Sequence, residues 1–214
     1  LDQPAVTSNN CFLGKKSWRA TEGRLFTIKR ALQAKGTQSA KRHLQKIRHK
    51  QTRFRRDCDH ILSKHIIQRS EPGAAIALEN LTDIRSRVGA RRRSETKRRL
   101  HSWSFAQLRA FVKYKAEERG CTVVGVDPRQ TSQRCSRCGH TARNNRRSRA
   151  WFQCRSCNFS LHADLNAARN IAAKYRAQTG SAGVGGQHVN LPIAGASELL
   201  HSATCKPPAS AGGS

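Results

Sequence analysis

The sequence predicts an α/β fold that combines a long helical hairpin with an inserted four-cysteine module. Two short runs, AAIALE at 74–79 and CTVVGVDP at 121–128, have the composition of strands buried in a sheet. Between residues 39 and 69, an apolar 4-3 alternation without Pro or Gly indicates one long helix. Two CxxC pairs follow within residues 131–161. A chain of 214 residues can hold one principal domain of this kind with a small accessory module.

The charge balance is strongly basic. The chain has 41 Lys and Arg residues against 13 Asp and Glu residues, a formal net charge of +28. Such a charge repels itself in the compact state and favours a polyanionic partner, so nucleic acid is the leading prediction. A membrane surface or an acidic protein is the alternative. Because no apolar run approaches the roughly 20 residues that cross a bilayer, and no signal-peptide segment is recognisable, we expect a cytoplasmic protein without a membrane partner. The sequence identifies no protein partner.

The first predicted elements are a hairpin and two helices. AVTS at 5–8 is expected to end a β-strand, and CFLGK at 11–15 to return beside it. Few helix breakers occur between residues 18 and 34, which favours a helix there. The Gly36-Thr37 pair then separates this helix from the long one at 39–69.

The long helix carries a basic face. No acid occurs from Ser39 to Arg56, although a face that is merely solvated normally mixes both signs. A solvated helix surface remains the alternative interpretation, but the excess of positive charge favours contacts with phosphates. The predicted contacts are Arg42, Lys46, Lys50, Arg53 and Arg56. A second basic segment at 90–103 is predicted to be a loop or frayed helix that orders on a polyanion. Its predicted contacts are Arg91, Arg92, Arg93, Arg98 and Arg99.

The first buried run ends in a single carboxylate, Glu79. An isolated charge at the end of a buried strand is costly unless a cation pairs with it. A salt bridge to Arg85 or Arg87 is one explanation, and a metal-ligand role is the other. A helix is predicted over residues 104–119, and the second buried run then ends in Asp127. That residue precedes a proline and is interpreted as a turn-former.

The cysteine pairs have the spacing of a metal site. A CxxC turn places two thiolates about 2.3 Å from an ion, and two such turns complete the tetrahedron that zinc prefers. A redox CxxC or four unrelated thiols are the alternatives. His140 and His162 are expected to be bystanders, because four thiolates already fill a structural zinc site. The predicted zinc ligands are Cys135, Cys138, Cys154 and Cys157.

The loop between the cysteine pairs is basic and aromatic. Its arginines are predicted to contact phosphate, and the three we single out are Arg146, Arg147 and Arg149. A cover over the small metal core is the simplest role for Trp151 and Phe152.

The last predicted helix spans residues 162–175 and carries Asp164 in its first turn. Complementarity with the helix macrodipole explains an acid at that position without any further role. From residue 178 the chain is rich in Gly, Ala, Ser and Pro, so residues 178–214 are predicted to be a disordered tail.

Three segments resemble the C-terminal half of the TnpB-type (OrfB-like) insertion-sequence proteins, which are relatives of the type V CRISPR effector nucleases. They are ALENLTDIR at 77–85, VDPRQTSQRCSRCGHTARNNR at 126–146 and WFQCRSCNFSLHADLNAARNIAAK at 151–174. The resemblance covers roughly residues 1–176. It implies a RuvC-type, RNase H-like nuclease fold interrupted by a zinc ribbon, and the activity of an RNA-guided DNA endonuclease. Transposase is the older label for such proteins.

The resemblance also implies roles for individual residues. Glu79 matches the family's second catalytic acid, Asp164 matches its third, and the four cysteines match its zinc ligands. The implied cofactors are structural zinc and catalytic magnesium, since carboxylates and the scissile phosphate can hold magnesium ions during phosphodiester cleavage. The implied partners are DNA and a guide RNA from the transposon end. The implied location is the nucleoid of a prokaryotic cytoplasm.

Two departures from the family predict that this sequence is a truncated form. Endonuclease activity is then expected only of the full-length parent protein. The family's first catalytic Asp would fall just upstream of Leu1, and Asp2 is not in register with it. The family's N-terminal half, which grips the guide RNA, is also missing from this sequence. The expected organisation is a nuclease core with a truncated first strand and a basic helical insertion at 1–130, the ribbon at 131–161, the final RuvC helix at 162–177, and the tail.

Two other functions stay open. A catalytically inactive DNA- and RNA-binding remnant with a structural zinc ribbon would keep the basic surface and the cysteines but would not cut. A ribosomal-protein-like zinc ribbon with a basic tail would leave Glu79 and Asp164 without a role.

Overall fold

A computed structural model describes residues 5–81 and 105–180, together with the backbone of residues 188–190. The elements in chain order are β1 (Ala5–Thr7), β2 (Phe12–Leu13), α1 (Lys16–Lys35), α2 (Gln38–Gln68), β3 (Ala75–Glu79), α3 (Phe105–Glu117), β4 (Thr122–Val126), β5 (Trp151–Gln153), β6 (Ser160–His162), α4 (Ala163–Thr179) and β7 (His188–Asn190). The α/β class predicted from the sequence is therefore confirmed. Among the described helices, none combines the length and the apolar character needed to cross a membrane.

The principal sheet is mixed and has the strand order β2-β1-β7-β3-β4. β1 is antiparallel to both β2 and β7, whereas β3 is parallel to both β7 and β4. The register pairs Leu78 with Gly125 and Glu79 with Val126, so the carboxyl ends of β3 and β4 lie side by side.

Both faces of β3 are covered, as the apolar run predicted. Ile76 and Leu78 pack with side chains of α2 and α3, among them Leu62, Leu108 and Val112. Ala77 lies on the other face, in a cluster with Val126 of β4 and Ile171 of α4. Because side chains alternate along a strand, Glu79 shares the α4 side of the sheet with Ala77. β3 is thus the element that presents Glu79 to α4.

The long helical hairpin consists of α1 and α2. Gly36 ends α1 in the left-handed region at φ 65°, and the Thr37 side chain caps α2 by accepting a hydrogen bond from the Ala40 N–H. The Arg55 guanidinium contacts Glu22 at 2.7 Å and ties the two helices together.

The buried stripe of α2 changes along its length. Ala40, Ile47 and Gln51 follow the predicted alternation, but the buried positions then move to Asp59, Leu62 and Ile66. A straight helix has 3.6 residues per turn, so a 4-3 pattern drifts round its surface. The second half of α2 also packs against α3 rather than α1 alone, which selects a different face.

Two predictions differ from the structure: the burial of β4 and the disorder of residues 178–214. β4 was expected to be fully buried, but it is an edge strand in which Val126 is the only buried residue. Residues 178–214 were expected to be disordered, yet α4 continues to Thr179 and His188–Asn190 forms β7 between β1 and β3. The tail prediction is wrong for β7, because a three-residue strand depends on two neighbouring edges that the local composition does not reveal. The rest of that tail lies outside the described residues.

Candidate metal centres

The four cysteines come together in one cluster. Their sulfur atoms all lie within 4.8 Å of one another, with Cys135 and Cys157 3.8 Å apart and Cys138 and Cys154 3.6 Å apart. Tetrahedral thiolates about 2.3 Å from zinc are separated by about 3.8 Å, so the spacing fits that ion. In the described part of the chain, this is the only group of three or more His, Cys, Asp and Glu side chains whose ligand atoms lie close enough together to hold a metal ion.

Local hydrogen bonds favour the thiolate form of Cys154. Burial by itself favours the neutral thiol of Cys154, but hydrogen bonds from the backbone amides of Cys157 and Ser156 lower its pKa to about 6. A thiolate is the form that binds metal. The buried Asn145 joins the two halves of the cluster: its amide donates to the carbonyls of Gln133 and His140, and its oxygen accepts the Arg155 N–H at 2.9 Å.

Neither histidine beside the cysteines belongs to the cluster. The His162 ring caps α4 instead, with its Nδ1 accepting the Asp164 N–H at 3.3 Å. The expectation that His162 is not a zinc ligand therefore agrees with its position, and the structure adds a specific task at the start of α4.

Two buried amides fasten the cysteine module to α4. Asn166 accepts the Ser136 N–H at 3.0 Å and donates to the Arg134 carbonyl at 2.8 Å. Asn170 donates to the carbonyls of Thr131 and Arg134 at 2.8 and 2.7 Å. Neither residue is among those predicted from the sequence to have a role. The available signal was a pair of amides one helical turn apart on a face that is otherwise apolar.

The two candidate carboxylates lie close together at the carboxyl end of β3. Glu79 and Asp164 are each only 8% exposed. Burial, together with the charge of Asp164, raises the pKa of Glu79 to about 8. Burial also raises the pKa of Asp164, although Arg146 and His162 oppose the shift. A buried carboxyl group whose pKa is raised by the charge of a second carboxyl group beside it indicates a candidate cation site.

The cysteine module places a cation beside Asp164. An Arg146 terminal nitrogen lies 3.5 Å from the Asp164 carboxylate. The same guanidinium donates to the carbonyls of Ser148 and Arg149, which hold it in place. In the part of the chain that the structure describes, no hydrogen bond or ion pair reaches the Glu79 carboxylate. A salt bridge to Arg85 or Arg87 cannot be compared, since both lie outside the described residues.

The remaining predicted contacts do not gather at the carboxylates. Arg147 and Arg149 are exposed on the loop that supplies Arg146. The basic residues of α2 are exposed on a helix that packs against α1 and α3, whereas Asp164 lies on α4 across the sheet. This second group comprises Arg42, Lys46, Lys50, Arg53 and Arg56. Outside the described residues lie Arg91, Arg92, Arg93, Arg98 and Arg99.

Comparison with known proteins agrees with the sequence resemblance. Residues 105–171 match the family described as the Cas12f1-like TNB domain. A CRISPR-associated endodeoxyribonuclease Cas12f1 of Sulfoacidibacillus thermotolerans is 40% identical over 131 residues, 60% of this chain and 29% of that protein. The putative RNA-guided DNA endonuclease InsQ of Escherichia coli K12 is 32% identical over 184 residues, 78% of this chain and 45% of that protein. A TnpB-like protein of Methanocaldococcus jannaschii is 33% identical over 116 residues, 54% of this chain and 41% of that protein.

The resemblance to the TnpB-type family is confirmed. The chain spans less than half the length of each of these relatives. A solved Cas12f1-sgRNA-target DNA complex also shares the fold, with a TM-score of 0.56 and 24% identity over 75% of this chain and 43% of that one.

Proposed function

We propose that this chain is the nuclease half of an RNA-guided DNA endonuclease of TnpB type, with an RNase H-like, RuvC-type core. The observation that carries the proposal is the buried Glu79–Asp164 pair, since two carboxyl groups with raised pKa values share one arginine. A divalent cation would offset the negative charge of these two carboxylates when both are ionised. Relatives known as an endodeoxyribonuclease and a putative RNA-guided DNA endonuclease support the same activity and the same partners, DNA and a guide RNA.

The donor set fits magnesium at one centre and zinc at the other. Magnesium prefers oxygen ligands and retains several waters, so Glu79 and Asp164 need to supply only part of its shell. When bound, the metal activates the attacking water and stabilises the leaving oxygen of a phosphodiester. The four cysteine sulfurs form the closed set of a structural zinc site, which leaves no open position for chemistry.

The chain's own residues then have separate tasks. Glu79 at the end of β3 and Asp164 at the start of α4 supply oxygen atoms from two rigid elements. The Arg146 guanidinium lies 3.5 Å from the Asp164 carboxylate. With the charge of that carboxylate neutralised by a metal ion, Arg146 would donate hydrogen bonds to a phosphate oxygen. The exposed basic residues of α2 extend the surface on which a nucleic acid backbone is held.

A cleavage assay on the purified full-length parent protein, numbered as in this sequence, tests this function. We expect magnesium-dependent cutting of single-stranded DNA, with loss of at least about a hundredfold in Glu79→Gln and in Asp164→Asn, because each removes a ligand charge. Asp127→Asn is the matched control: the carboxylate of this exposed acid accepts the Arg129 N–H in a turn and lies 3.9 Å from the Arg129 guanidinium, so cutting should be unchanged. Salt-sensitive DNA binding without any cutting would contradict the enzyme and leave the inactive binding remnant.

A further inference from the structure

The two adjacent aromatic residues of β5 have different surroundings. Phe152 is fully buried and packs with Cys135, Cys154 and Ala163 in the core of the cysteine module. Trp151 is 50% exposed, because successive side chains of a strand point to opposite faces. Of these two residues, only Phe152 therefore covers the metal core, and the stability of that core does not account for Trp151.

The backbone fixes Trp151 beside the carboxylate site. Its register partner in β6 is His162, the residue that caps α4. The residue before Trp151 accepts a hydrogen bond at 2.8 Å from the N–H of Ala163, which immediately precedes Asp164. A displacement of Trp151 along its strand would therefore strain the start of the helix that carries Asp164.

The indole is exposed within an electropositive stretch. No Asp or Glu occurs between Pro128 and Ala163, and Arg147 and Arg149 of the preceding loop are exposed. In the described parts of the chain, the large exposed hydrophobic residues are Ile28, Tyr114 and Trp151. Tyr114 already has ring partners, since it contacts Phe111 edge-on and lies under the Lys115 ammonium. Trp151 makes no ring contact with any described residue.

We infer that Trp151 is a stacking platform for a nucleobase of the single strand whose phosphate reaches Glu79 and Asp164. The inference rests on the proposed function and adds a contact to the base that neither the carboxylates nor the arginines provide. A flat aromatic surface beside cations matches single-stranded nucleic acid, because every base offers a π-face and the backbone is anionic. Stacking on Trp151 would hold the strand at a set distance from the acids.

Stacking and phosphate contacts respond differently to salt. Removing one stacked base contact weakens binding of single-stranded nucleic acid by about five- to a hundredfold without changing the salt dependence. Removing one phosphate contact weakens binding and lowers the salt slope by about one. Trp151→Ala removes the proposed stacking contact, and Arg149→Gln removes a predicted phosphate contact nearby. Comparing the two variants therefore distinguishes the two kinds of contact.

The test measures binding of a labelled oligothymidylate to the full chain by fluorescence anisotropy over a range of salt concentrations. We expect Trp151→Ala to weaken binding by about five- to a hundredfold with an unchanged salt slope, and Trp151→Phe to recover part of the loss. Arg149→Gln should lower the slope. Tyr114→Ala is the matched control, an exposed aromatic on α3, and should bind as the wild type does.

A scan with one abasic nucleotide needs no substitution in the protein, so it decides the matter even if Trp151→Ala fails to fold. Moved along an oligothymidylate that is too short to bind in more than one register, the abasic nucleotide should weaken wild-type binding at one position and have no effect there in Trp151→Ala. Wild-type binding that is uniform along the scan would overturn the stacking role and leave DNA binding intact. A wild-type chain that binds no oligonucleotide would overturn the proposed function as well.

Discussion

The cysteine cluster and the carboxylate pair are both candidate metal centres, but they are assembled in different ways. All four sulfur ligands come from residues 135–157, and the hydrogen bonds of Asn145 close that module on itself. Glu79 and Asp164 come from β3 and α4, which meet only through the packing of the sheet. One centre is local in sequence, and the other depends on the whole fold.

This difference changes how each centre depends on its ion. The cysteine module has a small apolar core built around Phe152, so most of its stability must come from the metal. The carboxylates are held by a sheet whose two faces are packed independently of any ion. We therefore expect that the first centre needs its metal ion to fold, whereas an ion at the second would only offset the charge repulsion between the carboxylates.

The largest effect is expected from Cys154→Ser. Structural zinc contributes about 10–16 kcal/mol to small modules of this type, so the variant should lose zinc and unfold residues 131–162 while the principal sheet persists. Zinc analysis and limited proteolysis measure these outcomes. The control is Cys58→Ser on α2, where burial and nearby acids raise the pKa of the thiol to about 12 and keep it neutral. Full zinc retention in Cys154→Ser would refute the dependence on metal.

A smaller effect is expected from pH at the carboxylate pair. The folded chain keeps a proton on Glu79 up to about pH 8, whereas the ordinary pKa is 4.5. The folded state therefore binds more protons, and its stability from this group falls as pH rises from 4.5 through 8, by about 3–5 kcal/mol. Glu79→Gln should remove this part of the slope in urea unfolding curves recorded across that range.

Magnesium distinguishes the carboxylate pair from an ordinary buried acid. Asp59 of α2 is also buried, which raises its pKa to about 7, but it lies outside the candidate site. Magnesium at pH 8 should stabilise the wild type and Asp59→Asn, and should have little effect on Glu79→Gln. Equal magnesium stabilisation of all three proteins would mean that the ion does not bind at Glu79.

The smallest effect is expected where the two centres are joined. Asn170→Ala leaves buried carbonyls of Thr131 and Arg134 with fewer donors, so we expect a loss of about 1–3 kcal/mol in the free energy of unfolding. Gln178→Ala, at an exposed position of α4, should change it by less than about 0.5 kcal/mol. Zinc content should stay at the wild-type level in both. Loss of zinc in Asn170→Ala would show that the cysteine module is not self-contained.

Local sequence patterns predicted the structure correctly where the interacting residues are close together in the sequence. The CxxC spacing predicted the cluster, Gly36-Thr37 predicted the break in the hairpin, and the helix predicted over residues 104–119 is α3. The failures involve partners that are remote in sequence. β4 has the apolar composition of a central strand but lies at an edge, and β7 has almost no strand signal but lies between two other strands.

The sequence by itself determined the α/β class, the cysteine cluster, the basic surface and the two candidate catalytic acids, Glu79 and Asp164. Thiolate spacing, helical periodicity and net charge are all properties of short segments, so they can be recognised without a fold. Only the tertiary structure decided that Arg146 faces Asp164, that Asn166 and Asn170 fasten the cysteine module to α4, and that Trp151 is exposed beside it. These relations depend on how β3, β5 and α4 pack, and packing is a property of the whole chain rather than of any segment.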